Sequence, residues 1–69
     1  MLLHDNYEPD RLMREGEVNR RTGLSRTTRW RMEKTGDFPK RRQLSPNSVG
    51  WLEREINDWM LARIEAGAA

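Results

Sequence analysis

Between Arg20 and Arg42 stand nine of the thirteen basic residues of the chain and only two of its eleven acids, Glu33 and Asp37. That window carries +7, against −5 for the remainder, although the net charge of the 69 residues is only +2. Guanidinium and ammonium groups at this density are suited to holding polyanions. Arginine places two parallel hydrogen bonds on a phosphate or a guanine edge. Each phosphate neutralised on a duplex also releases condensed counterions. Interleaved with these groups are Thr27, whose methyl suits a thymine methyl, and Trp30, an apolar body with one N–H donor.

No catalytic constellation accompanies them. The chain has no cysteine, and its one histidine, His4, is too isolated to build a metal site. No Gly-rich phosphate loop occurs, and Glu55 and Asp58 read as a solvated helix face. With no nucleophile beside a base, the expectation is a protein that is not an enzyme and takes no cofactor, metal or small-molecule substrate. No apolar run approaches the roughly 20 residues of a membrane span, and no signal-peptide core is visible. A cytoplasmic protein without a membrane partner is the expected setting.

The elements that must position the basic residues follow from local signals. Residues 1–10 read as a loose tail. Glu15 to Thr22 reads as a short helix with acids at its start and arginines at its end, complementing the helix dipole. Gly23 is a natural stop. Ser25 is a good N-cap for a second helix running to about Thr35 and ending at Gly36. Two short helices across "GLS" form a helix-turn-helix pattern, with Leu24 plugging the turn. "SPN" then separates two short strands, Lys40 to Leu44 and Ser48 to Trp51, as a basic β-hairpin. Leu52, Ile56, Trp59, Met60 and Arg63 mark a last helix, whose "AGAA" end, residues 67–69, is expected to fray.

On a helical wheel for the second helix, Thr28, Met32 and Thr35 face the core, and Arg26, Thr27, Trp30 and Lys34 face out. Arg29 and Arg31 flank the two faces. Arg26 lies early enough to reach a guanine in the major groove. The Ser25 hydroxyl and the open N–H groups at the helix start suit a phosphate. Lys40, Arg41 and Arg42 supply a second basic element for the backbone or the minor groove. The candidate DNA-binding set is therefore Ser25, Arg26, Thr27, Arg29, Trp30, Arg31, Lys34, Lys40, Arg41 and Arg42. Trp30 is open between a DNA contact and packing on the hairpin or near Phe38. Trp51, Trp59 and Phe38 are expected in the core, and Leu61 lies off the apolar stripe.

Three pieces in this order, "TGLSRTT" (Thr22 to Thr28), "GDFP" (Gly36 to Pro39) and "VGWLEREINDW" (Val49 to Trp59), closely resemble the AlpA family of small prophage regulators. The likeness covers roughly Arg11 to Ile64. It implies a MerR-like winged helix-turn-helix over residues 11–66, mainly α with a small β-hairpin. The helix after Ser25 would be its recognition helix, and Lys40 to Trp51 its wing. It also implies regulation of genes on a prophage or genomic island, or excisionase work in which attachment-site DNA is bound and bent. The chain departs from the family pattern at Arg29 and Glu33, where relatives usually carry apolar residues, and at Trp30, where Tyr is frequent.

Double-stranded DNA is thus the expected partner, with integrase as a candidate second one and cooperative self-association of copies on DNA as a further expectation. The reading from another class is a protein-interaction module acting on integrase or polymerase, with Trp30 and Leu61 as anchors. An RNA-binding role is weaker, since the hairpin carries one aromatic, Trp51, where sheet-based RNA readers display several.

Overall fold

The computed structural model describes residues 11–68; the expected N-terminal tail, with His4, and Ala69 lie outside these. The order of elements is β1 (Leu12–Met13), α1 (Glu15–Thr22), α2 (Arg26–Lys34), β2 (Arg42–Ser45), β3 (Ser48–Leu52) and α3 (Glu53–Ala68). Three helices pack around a three-stranded antiparallel sheet of order β1-β3-β2. This is the architecture of a small winged-helix domain.

Each junction has a local cause. Gly23 ends α1 at φ 74°, a left-handed conformation that side chains disfavour, and its N–H donates to the Asn19 carbonyl at 2.8 Å. The Thr22 hydroxyl accepts from Leu24 N–H, and the Asn19 amide donates to the Leu24 carbonyl. These bonds hold the turn that sets α2 against α1. Ser25 then caps α2, its Oγ accepting from Thr28 N–H at 3.2 Å.

The hairpin turns at Pro46-Asn47, and the Ser45 and Ser48 hydroxyls meet across it at 2.7 Å. Its first strand starts two residues later than expected, at Arg42 rather than Lys40. The third strand, β1, has no counterpart in the sequence-based expectation. Leu12 pairs with Leu52 and Met13 with Trp51, and Glu53 N–H donates to the Arg11 carbonyl at 2.8 Å. The central strand must accept neighbours on both sides at Gly50. A Cβ there would come within 3.0 Å of Leu44 and 3.2 Å of the Met13 carbonyl.

The core is small: Met13, Val18, Phe38, Trp51 and Ile56 are buried, with Leu24, Met32, Val49, Trp59 and Met60 packed around them. Phe38 meets Trp59 edge-to-face at 4.8 Å, and the Trp59 indole N–H donates to the Asp37 carbonyl. Trp51 and Phe38, with Ile56, Met60 and the half-buried Trp59 of α3, therefore sit where the sequence puts them, whereas Leu52, expected on the last helix, ends β3, and Arg63 is exposed. α3 runs through Gly67 to Ala68.

Candidate nucleic-acid interface

α2 presents two faces, but not the two expected from its wheel. The side toward the core is set by Arg29, which is fully buried, and Glu33, 8% exposed, with Thr28 and Met32 only half-buried and Thr35 exposed. Of its two large apolar residues Trp30 is exposed and Met32 only half-buried, so apolar burial alone does not fix its rotation. Charged partners on other elements fix it instead. Arg29 ion-pairs with Glu15 of α1, donates from Nε to the Leu24 carbonyl at 3.1 Å, and lies 5.4 Å from the centroid of the Trp51 ring. Glu33 accepts from Arg41 Nε at 3.0 Å and Nη2 at 3.4 Å, and from the Trp51 indole N–H at 3.4 Å. The Arg41 guanidinium stands 5.7 Å from the same ring centroid. Two ion pairs thus converge on one indole and join α1, α2 and the root of the wing.

This removes Arg29 from the candidate contact set. A fully buried guanidinium, held by a carboxylate and a carbonyl, does not reach a ligand at the surface. The remaining nine candidates keep some exposure. Arg26, Thr27 and Trp30 of α2 line one open cleft together with Arg41. Trp30 is 48% exposed, and the ring that Phe38 meets is that of Trp59. The Lys34 ammonium stands 3.8 Å from the Trp30 ring centroid, a cation–π contact that pre-orders both side chains. Arg31 is exposed on the same helix. Ser25 is also exposed, and its Oγ accepts from Thr28 N–H and donates to the Thr28 hydroxyl at 3.0 Å.

The wing residues separate from one another. Lys40 is exposed and Arg41 is half-buried on Glu33, whereas Arg42 crosses to Glu55 of α3 at 2.6 Å. Neither Lys40 nor Arg42 lines the α2 cleft.

A second cleft adjoins the first, and Arg26 and Arg41 belong to both. Its other walls are Arg14, Glu15 and Gly16 at the start of α1 and Asn47, Ser48 and Val49 at the tip of the wing. Three arginines therefore face one space about 340 Å³ in volume, beside the first N–H groups of α1. The acid among them, Glu15, is engaged by Arg29. Sequence reasoning did not single out Arg14, Asn47 or Ser48. The only signal for Arg14 was its position just before a helix start, and the wing tip reaches that place only through the β1-β3-β2 pairing. Together the clefts can take a strip of negative charge, with the apolar face of Trp30 and the Thr27 methyl toward one end.

No helix among the described residues is long and apolar enough to cross a membrane, and no group of three or more His, Asp or Glu side chains able to hold a metal ion occurs among them.

Comparison with known proteins identifies the family of the chain. Residues 11–64 match the family model described as prophage CP4-57 regulatory protein (AlpA). The chain is 37% identical over 65 residues to the DNA-binding transcriptional activator AlpA of Escherichia coli K12, covering 86% of this chain and 93% of that one. It is 38% identical over 55 residues to the uncharacterised protein ORF88 of Enterobacteria phage P4, covering 80% of this chain. The matched region spans 62% of the length of that phage protein.

Proposed function

The chain belongs to the AlpA family of prophage regulatory proteins, and on that premise we propose that it is a sequence-specific, double-stranded-DNA-binding regulator of transcription in a prophage or genomic island. In this reading α2 enters the major groove with Arg26 and Thr27 toward the base edges. Trp30 packs its apolar face against thymine methyl or sugar groups, and Arg31 and Lys34 track a phosphate strand. The cleft between the start of α1 and the wing tip receives a backbone phosphate through Arg14 and Arg41, helped by the α1 dipole. The protein acts by occupancy and makes or breaks no bond.

One observation carries the proposal: Arg26, Thr27 and Trp30 of one helix and Arg41 of the wing root line a single open cleft. A single nine-residue recognition helix reads few base pairs, so copies set side by side on repeated sites would supply the remaining specificity. The test is a footprint of the purified protein across its own genomic island at several salt concentrations. Protection of a promoter that fades steeply with salt is expected. Protection confined to repeats beside the attachment site, with bending of the bound duplex, would assign it to excision instead. No protection at low salt would overturn the DNA reading and favour contact with integrase or polymerase.

A further inference from the structure

Glu33 is a carboxylate buried directly behind a surface that, on the reading above, meets a polyanion. Simple Coulomb interaction makes such a group unfavourable for binding. Its partners suggest what it does there. Arg41 lies in the stretch between Pro39 and β2, which has no regular secondary structure. Strand hydrogen bonds therefore do not fix its position. The Glu33 carboxylate does, by taking the Nε and Nη2 edge of the guanidinium at 3.0 and 3.4 Å. The Trp51 indole N–H donates to the same carboxylate and fixes its orientation in turn. This side-on pairing leaves Nη1, with its two protons, for an external acceptor. Arg41 is also one of the two residues shared by both clefts.

We propose that Glu33 is a positioning residue for DNA recognition: it holds Arg41 at the junction of the recognition helix and the wing, so that both present one rigid surface to the duplex. This rests on the DNA-binding reading. A buried carboxylate at 33 needs a cation, and Arg41 is the cation it holds.

The proposal makes a prediction opposite in sign to the Coulomb expectation. Binding to the footprinted duplex is measured at fixed salt for the parent, Glu33→Gln, Arg41→Ala and the double variant, with thermal unfolding recorded for each. Glu33→Gln is expected to weaken binding about five-fold in the parent, and by less than about two-fold once Arg41 is already alanine. Unchanged or tighter binding by Glu33→Gln overturns the proposal, because removal of a negative charge would then be the whole effect. So does an equal loss in both backgrounds, which marks a structural role independent of Arg41. Should Glu33→Gln not fold, Arg41→Lys keeps the charge and abolishes the side-on pairing. An affinity loss of about five-fold is then expected, and parental affinity overturns the proposal. If the parent binds no duplex at low salt, the DNA reading fails and takes this inference with it. Failure of this inference alone appears only with a parent that binds.

Discussion

Arg26 and Arg29 stand three residues apart on one helix, with the same side chain and opposite surroundings. Arg26 is exposed and lines both clefts. Arg29 has no exposed surface, ion-pairs with Glu15, and leaves its Nη1 buried without a hydrogen-bond partner. The outer face of α2 keeps its water, whereas the inner face has lost it to the fold. The lesson is that residue type does not assign an arginine to binding or to structure. The position of the nearest carboxylate and the nearest ring does, and here both come from other elements.

The largest effect should come from emptying the inner face. Arg29→Ala removes a fully buried side chain from beside Trp51 and is expected to cost about 3 kcal/mol, a large share of what a domain this small holds. Arg29→Leu, in contrast, keeps apolar volume and removes the cost of burying a charge with an unsatisfied N–H. Its stability is expected within about 1 kcal/mol of the parent. Denaturant unfolding of both variants tests the contrast. If alanine and leucine cost the same, the ion pair and not the packed volume holds this face.

Next in size is the outer face. Arg26→Ala is expected to leave stability within about 0.5 kcal/mol of the parent. Its duplex binding should weaken by about 1–3 kcal/mol, with relaxed preference at one base position. Competition binding against single-base variants of the footprinted site measures this. Uniform weakening across all variants would move Arg26 from the base edges to the backbone.

What the sequence made legible, and what it did not, follows the same division. Gly23, Ser25, Gly36 and Pro46-Asn47 act on their immediate neighbours, so both helices of the helix-turn-helix and the hairpin turn could be read directly. The stripe of α3 was legible because Ile56, Trp59 and Met60 repeat with the helical period. β1 was not, since Leu12–Met13 is too short for a period and forms only by pairing with β3, some forty residues away. The rotation of α2 was also hidden. A helix whose two large apolar residues, Trp30 and Met32, do not repeat with the helical period has almost no stripe, and the residues that orient it, Glu15, Arg41 and Trp51, lie on three other segments. The same long-range placement hid the cleft between Arg14 and the wing tip.

A smaller effect separates backbone tracking from base reading on the outer face itself. Arg31 is exposed and lines neither cleft. Arg31→Ala should weaken binding to every duplex alike and reduce the slope of log affinity against log salt by about 1. A salt titration on specific and unrelated duplexes checks both statements. A loss confined to the specific duplex would add Arg31 to the base-reading group.

The smallest effect belongs to a solvent-exposed counterpart of the buried pairs. Arg11 joins Glu17 of α1 and Glu53 of α3, the latter at 3.1 Å, across the outer edge of the sheet. The Arg11 guanidinium donates to the Glu17 carboxylate and holds its pKa below the ordinary carboxylate value. A depressed carboxyl adds stability that is fully present above its unfolded pKa, near 4.5, and is lost as pH falls through its folded value. Glu17→Gln should therefore lower stability by a small amount at neutral pH, where the contribution is fully present, and converge on the parent as pH falls below about 4.5. High salt should shrink the difference further, because water and ions reach this pair as they do not reach Arg29. Acid unfolding curves of the two proteins at low and high salt measure it. A Glu17 effect at neutral pH as large as that of Arg29→Ala would erase the contrast between exposed and buried pairs.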